Sequence, residues 1–254
     1  MKRNLFTTLG ILILLTIFFA PSAFALGFGA SADYWIPTFK GDLRVDGNGV
    51  PGTPINLKDD LGIGNDNFAG VEAFFGIGNH EITVAYSQVN LSGAKNVGTP
   101  ILFNGYPFTG YVESELKTSM IDLEYQYKLL NFKNILAGLS LGIIAKVKYF
   151  DGEARMHASL YDTQKDIHVP IPMIGVGAKI GLLANILEAR TKITGMGYSD
   201  SFFYDGLADI SFTPFPFLNI HGGYRAMSLK IDNISDIYAK MDFYGPYVGL
   251  AVSF

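Results

Sequence analysis

Beyond residue 25 the hydrophobicity of this chain comes at a period of two. In "ILAGLSLGIIAKVKYF", Ile135, Ala137, Leu139, Leu141, Ile143, Ala145, Val147 and Tyr149 share one face, while Lys146, Lys148 and several small residues share the other. "IDLEYQYKL" sets Ile121, Leu123, Tyr125, Tyr127 and Leu129 against Asp122, Glu124, Gln126 and Lys128. "ILEARTKIT" sets Leu187, Ala189, Thr191 and Ile193 against Glu188, Arg190 and Lys192. A helix would scatter these charges around its axis, and only an extended strand sorts them. No apolar run in this part of the chain approaches the roughly 18 residues that a membrane-spanning helix needs.

The front end reads differently. "MKRNLFTTLGILILLTIFFAPSAFA" has charged Lys2 and Arg3, an apolar segment over 9–20, and an Ala23-Phe24-Ala25 cleavage site. The pattern predicts a secretory signal peptide over 1–25 and a single domain over 26–254. The formal charge is −4, or −6 without Lys2 and Arg3, which excludes the basic face that nucleic acid requires. With no cysteine, an exported chain has neither disulfides nor a thiolate metal site. The four histidines are scattered without ligand spacing, so neither metal nor cofactor is expected.

Ten alternating segments are predicted, at roughly 26–36, 67–78, 80–91, 115–129, 135–150, 167–183, 186–196, 203–213, 218–231 and 238–254. Three of the odd-to-even connections are long and polar: "PTFKGDLRVDGNGVPGTPINLKDDLGIGND", "SGAKNVGTPILFNGYPF" and "DGEARMHASLYDTQKD". The even-to-odd connections are tight, as at Gly78-Asn79, "LNFKN", "LAN" and "PFPF". Long loops on one side and short turns on the other suit a membrane barrel. Aromatics sit at strand ends, where an interface belt needs them: Tyr34 and Trp35, Tyr149 and Phe150, Phe202 to Tyr204, Phe215, Phe217 and Tyr244. A soluble sandwich would explain the alternation, since Phe and Tyr suit strands anyway. It would not explain the loop lengths.

The chain closes on "GPYVGLAVSF", where Tyr247, Gly249, Val252 and Phe254 have the spacing of an assembly signal. Here the sequence resembles the bacterial outer-membrane β-barrels, in particular the small OmpA/OmpX/OmpW-like class. The resemblance implies an all-β fold, a single closed antiparallel transmembrane β-barrel of about ten strands, with eight or twelve as alternatives. It further implies an outer-membrane location, the barrel-assembly machinery as a partner during biogenesis, contact with outer-membrane lipids and lipopolysaccharide, and a monomer.

If apolar residues face lipid, the alternate set lines the lumen. It holds Glu72, Glu81, Asp122, Glu124, Lys146, Lys148, Lys179, Glu188, Arg190, Lys192, Asp209, His221 and Arg225. In a narrow barrel such charges must pair, because an isolated buried charge is prohibitively costly. Barrels of about eight strands are filled by side chains, and about sixteen are needed for an aqueous channel. A largely filled lumen follows, with a structural role or a narrow passive conduit for small solutes.

Two other function classes compete. Loop 151–168 carries Glu153, His157, Ser159, Asp166 and His168. His157-Ala158-Ser159 resembles the H-x-S of outer-membrane lipid A deacylases, which pair it with a Glu; none follows at the expected distance. Asp166-Ile167-His168 resembles the D-x-H of omptin proteases, whose partner D-x-D is absent. Each match covers three residues and neither site is complete, so no catalytic residue is assigned. Loop 37–66 is long enough to serve a surface adhesin. Within it "RVDGNGV" starts like a calcium loop but lacks the closing acid, so it reads as a turn.

Overall fold

A computed structural model describes residues 26–132, 138–183 and 186–254. The proposed leader over 1–25 and parts of the "LNFKN" and "LAN" turns lie outside the described residues. Among those described, the regular structure is all strand. The elements are β1 (Leu26–Trp35), β2 (Thr38–Val45), β3 (Ile55–Asn56), β4 (Phe68–Ile77), β5 (His80–Phe103), β6 (Tyr106–Phe132), β7 (Leu139–His157), β8 (Asp162–Leu183), β9 (Leu187–Tyr198), β10 (Ser201–Phe215), β11 (Leu218–Ile234) and β12 (Ile237–Ser253).

All neighbours are antiparallel, and the sheet runs round into a ring because β1 pairs with β4 on one edge and with β12 on the other. The count is twelve strands rather than ten. The additional strands are β2 and β3. β2 continues β1 along β12 in the same register, Trp35 facing Tyr247 and Thr38 facing Tyr244. Ile36-Pro37 interrupts it, since a proline nitrogen has no hydrogen to donate to the ladder. β3 is a two-residue rung against β2, set in the first long connection.

Two other long connections are mostly strand rather than loop. β5 and β6 stay paired as far as Phe103 and Tyr106, joined by Asn104-Gly105 with φ of 50° and 81°. Positive φ at both central residues is what an Asn-Gly hairpin turn favours, and that dipeptide was readable in the sequence. β7 and β8 stay paired to His157 and Asp162. The same alternation that buries one face in the membrane continues above it, where Val97, Ile101, Phe103, Phe108, Val112 and Met156 turn inward and are buried. The first connection packs onto them: Leu57, Leu61 and Ile63 join the same apolar cluster, and Thr53 N–H donates to Leu102 O at 2.8 Å. Segment 37–66 is therefore anchored to the core through Phe39, Leu43, Val45, Ile55, Leu57, Leu61 and Ile63, while 48–51, 58–60 and 64–66 stay exposed.

Proline also sets where the wall stops. The β7–β8 ladder runs unbroken past Pro170 and Pro172, so their missing N–H groups fall on the β9 side. Pairing of β8 with β9 ends at Ile174.

Period two corrects the aromatic belt. Adjacent residues point to opposite faces, so neighbouring pairs cannot both meet lipid. Tyr34, Tyr149 and Tyr204 are exposed on the outer wall, whereas Trp35, Phe150 and Phe203 are buried inside. Near the opposite rim, Phe254 stacks between Phe28 and Phe217, with ring centroids at 5.4 and 5.1 Å. The backbones of Phe254 and Phe28 exchange two hydrogen bonds at 2.8 and 3.1 Å. Aromatic pairs contribute about 0.5–1.5 kcal/mol each beyond burial. Phe254→Ala is thus expected to lower the temperature at which the heat-modifiable folded band is lost on a gel, with Phe254→Tyr close to wild type.

Candidate functional site

The candidate site is the interior, which has three layers. Charge sits in the middle because β6 and β7 each present two like charges on the inner face two residues apart. Their register sets Asp122 opposite Lys148 and Glu124 opposite Lys146. Opposite charges directly across a ladder attract. Lys148 Nζ lies 2.7 Å from both Asp122 oxygens and is 0% exposed. Lys146 Nζ lies 2.9 Å from Asp122 and 3.5 Å from Asp205. Arg225 forks onto Asp205 at 3.0 and 2.7 Å and lies 5.0 Å from the Trp35 ring.

Other contacts cross the lumen between strands that are not neighbours. Lys192 of β9 reaches Glu124 of β6 at 2.6 Å, and Lys146 of β7 reaches Asp205 of β10. On the neighbouring strands β9 and β10, Arg190 donates twice to Asp209, at 3.0 and 2.7 Å, and the Tyr247 hydroxyl of β12 donates to the same oxygen. A cavity of about 100 Å³ remains inside this layer.

Below it lies a polar vestibule of about 190 Å³. Lys128 meets Glu81 at 2.8 Å and Lys179 meets Glu188 at 2.7 Å, the latter pair the more exposed of the two. His221 Nε2 and Asp33 Oδ1 are 2.5 Å apart, bridging from β11 to β1 across β12. The residue between them is Gly249, where any Cβ would run into both groups. Two residues of the proposed assembly signal, Tyr247 and Gly249, thus also serve the folded interior. Val252 faces outward and Phe254 stacks at the rim.

Above the charge layer the interior is mostly apolar. Phe68, Val89, Met120, Phe150, Phe203, Met227, Leu229, Met241 and Phe243 converge with Thr118, leaving about 10 Å³ between them. That is room for about one water.

The thirteen inner residues read from the sequence all turn inward, but they do not form one network. Glu72 lines the two polar cavities without an ion-pair partner among the described residues. Sequence reasoning missed Asp33 and Asp205, and left Lys128 out of the lumen set although it had placed that residue on the polar face of its strand. Asp205 lies on the inward parity of a strand already recognised, four residues from Asp209, so parity alone could have found it. It also missed the apolar layer, whose members sit among polar residues on that same parity.

The loop candidates are elsewhere. His157 Nδ1 lies 3.6 Å from Asp162, which is held by Arg155 at 2.9 and 2.5 Å. That guanidinium keeps the Asp162 carboxyl below its ordinary range. Ser159 is in the turn joining β7 and β8 and has no contact with His157 among the described hydrogen bonds. His168 Nδ1 lies 2.9 Å from Asp151, while Asp166 faces Glu153 across the ladder. Among the described residues, no group of three or more His, Asp or Glu is placed to hold a metal ion.

The outer wall completes the picture. From Val71 through Tyr86, Ile121 and Tyr149 to Pro170, one row across five strands is apolar or aromatic. The outward positions below it carry Ile82, Val84, Leu123, Ile143, Val147, Val176 and Ile193, all exposed. Exposed side chains this apolar require a hydrocarbon surround.

No protein-family model matches the sequence, and no curated protein is similar to it in sequence. Solved structures are similar in fold. The outer membrane protease OmpT of Escherichia coli superimposes with a TM-score of 0.51 at 12% identity, over 90% of this chain and 97% of that one. The chain has the fold of a bacterial outer-membrane β-barrel. The attachment invasion locus protein Ail of Yersinia pestis aligns at 8% identity with a TM-score of 0.37, over 90% of this chain and 98% of Ail. Neisserial surface protein A aligns at 10% identity and 0.34, over 89% and 97%. At 12% identity the barrel likeness to OmpT is one of fold.

Inward is not the same as buried, and the two should separate by mutation. Asp205→Asn leaves Arg225 and Lys146 short of charge in the buried layer, and breaking such a buried pair costs about 3–5 kcal/mol. Glu188→Gln at the exposed mouth should cost about 0–1 kcal/mol. Urea unfolding of the protein refolded into vesicles reads both. In the same assay Gly249→Ala should be as damaging as His221→Ala, and the double variant little worse than either, since both abolish one contact.

Proposed function

We propose that this protein is a sealed outer-membrane barrel whose work is structural: it anchors a rigid β-domain and holds it above the membrane surface. The supporting observation is the apolar layer around Met120, Phe150, Phe203, Met227 and Phe243, with about 10 Å³ left within it. It lies between the charge layer and the outside, so of the two readings open from sequence, filled scaffold and narrow conduit, the first is favoured. The charge layer beneath shares its carboxylates among cations from several strands, which suits a role in holding opposite walls together rather than in passing solutes.

The paired extensions of β5–β6 and β7–β8 fit this reading. They are ladders with a buried face, so the surface they carry is stiff. Their tips expose Tyr106, Leu160 and Tyr161, with Leu160 at 82% exposure and the two tyrosine rings 5.6 Å apart. This favours a second reading, surface attachment, with the hairpin tips in place of segment 37–66 as the contact.

Catalysis in loop 151–168 is not part of the proposal, because Ser159 and His157 are not held together and chemistry needs held geometry. Lipid A from cells expressing wild type, His157→Ala or Ser159→Ala should have one and the same mass spectrum.

Planar-bilayer recording of the refolded protein tests the seal. Wild type should add no steady conductance, and Phe150→Ala with Phe203→Ala, still heat-modifiable, should open resolvable steps. A conducting wild type, or a folded double variant as silent as wild type, would overturn the sealed reading.

A further inference from the structure

The outer wall turns from apolar to polar at the row of Gln88, Ser119 and Asp151, and beyond that border the hairpins β5–β6 and β7–β8 stand clear of the membrane. Their turns meet at the apex. The Asn104 side chain donates to Thr163 Oγ1 at 3.1 Å and to Gln164 O at 3.3 Å, which holds one tip beside the other. Next to that contact, the Tyr106 and Tyr161 rings lie with centroids 5.6 Å apart and planes tilted by 43°. Tyr161 rests edge-on against Phe108, a fully buried ring, at 6.1 Å. The pair is thus positioned by the core beneath it. Among the described residues it is the one aromatic contact made by two tyrosines.

Little else on this surface draws an oxidant. The chain has no cysteine, so no disulfide can tie the hairpins together. Five of the six described methionines are buried and the sixth, Met196, is partly buried; Trp35 is buried too. Oxidation of a side chain follows its exposure. Tyr106 and Tyr161 are open to solvent, at 40% and 37% exposure. A one-electron oxidant arriving from outside therefore meets tyrosine, and at the apex it meets two together.

We propose that Tyr106 and Tyr161 are an oxidative cross-linking site, where hydrogen peroxide and a haem peroxidase join the two hairpins through a dityrosine bond. Each phenol gives up its hydroxyl hydrogen, one electron with one proton, and the peroxide that takes both hydrogens is reduced to two waters. The two phenoxyl radicals form a carbon–carbon bond between ring positions ortho to oxygen. The hydrogens displaced from those carbons restore the two hydroxyls. Holding the radicals side by side turns their coupling from a chance encounter into an event within one molecule. Exposed side chains change rotamer in picoseconds to nanoseconds, so the ortho carbons sample contact from this arrangement. The bond closes a loop running through β6 and β7, which restricts the unfolded chain as a disulfide does. The inference rests on the hairpins standing outside the membrane and not on the sealed lumen, so the bilayer recording and this test can fail separately.

The test treats cells expressing the full protein with hydrogen peroxide and a haem peroxidase too large to enter them. The monomer band is then digested and read by mass spectrometry. Wild type should yield a peptide pair joined between Tyr106 and Tyr161 and lighter than its parts by two hydrogens. Tyr106→Phe and Tyr161→Phe should each lose it. Tyr111→Phe, which alters a tyrosine 56% exposed but with no tyrosine against it, should keep it. All variants should remain heat-modifiable. Oxidised wild type should hold its folded band to a higher temperature than untreated protein, and oxidised Tyr161→Phe should show no such shift. Cross-links spread over the other exposed tyrosines, joining only between molecules, or no joined pair in oxidised wild type would each overturn the proposal.

Discussion

A strand in hydrocarbon has to give every backbone N–H and C=O a partner, and the pairing of β1 with β12 is where this chain meets that demand. Each other neighbour pair in the ring is joined through a nearby turn or connection; this one links the two ends of the domain. Its reinforcements are correspondingly dense. Trp35 Nε1 donates to Gly245 O at 3.1 Å, Phe254 stacks on Phe28, and the Asp33–His221 contact spans β12 from its other neighbour. The contact exists because position 249 has no side chain. Glycine here provides room for two groups to meet, in a strand where it would otherwise cost stability.

Ring closure makes the inside a place of fixed width, and the two halves of the interior answer that in different ways. Where the inward side chains are charged, they reach across, as Lys192 does to Glu124 and Lys146 to Asp205. Where they are aromatic or methionine, they fill the section. The polar cavities lie below and the apolar layer above, so the most buried pairs border an apolar region on one side. Low dielectric strengthens a paired charge and raises the cost of an unpaired one. The geometry of Asp122, Asp205, Lys148 and Arg225 fits that setting, with each cation on at least one carboxylate at 2.7 Å.

Much of this was legible because lipid enforces a strict alternation. The segments containing Leu123, Ile143 and Ile193 could be assigned a face residue by residue, and the inward charges followed from the same parity. Three features were hidden for identifiable reasons. The hairpins β5–β6 and β7–β8 extend beyond the polar border, where both faces contain polar residues and the period is diluted; Asn104-Gly105 was the surviving signal. Which inward charge meets which depends on contacts between strands 59 and 68 residues apart in sequence, and no local pattern encodes them. The split of Trp35 from Tyr34, and of Phe150 from Tyr149, was available from period two alone, but the aromatic-belt expectation treated each pair as a unit.

The same alternation explains why the fold can carry a surface domain without a second hydrophobic core. Inward residues of β5 to β7 are mostly polar or charged at membrane depth, mostly apolar in the layer above, and apolar again in the hairpins, where Leu57, Leu61 and Ile63 of the first connection join Val97, Phe103 and Val112 in a continuous cluster. Outward residues change in the opposite sense, from apolar to polar at the row of Gln88, Ser119 and Asp151. One strand thus reverses the polarity of both its faces as it leaves the membrane. In lipid the outer face must be apolar and the lumen can hold paired charge; in water the outer face must be polar, and burying the inner face supplies the stabilisation, about 25 cal/mol for each Å² of apolar surface. A continuous β-ladder satisfies both solvents without a linker, which is why what it displays stands at a fixed height above the membrane.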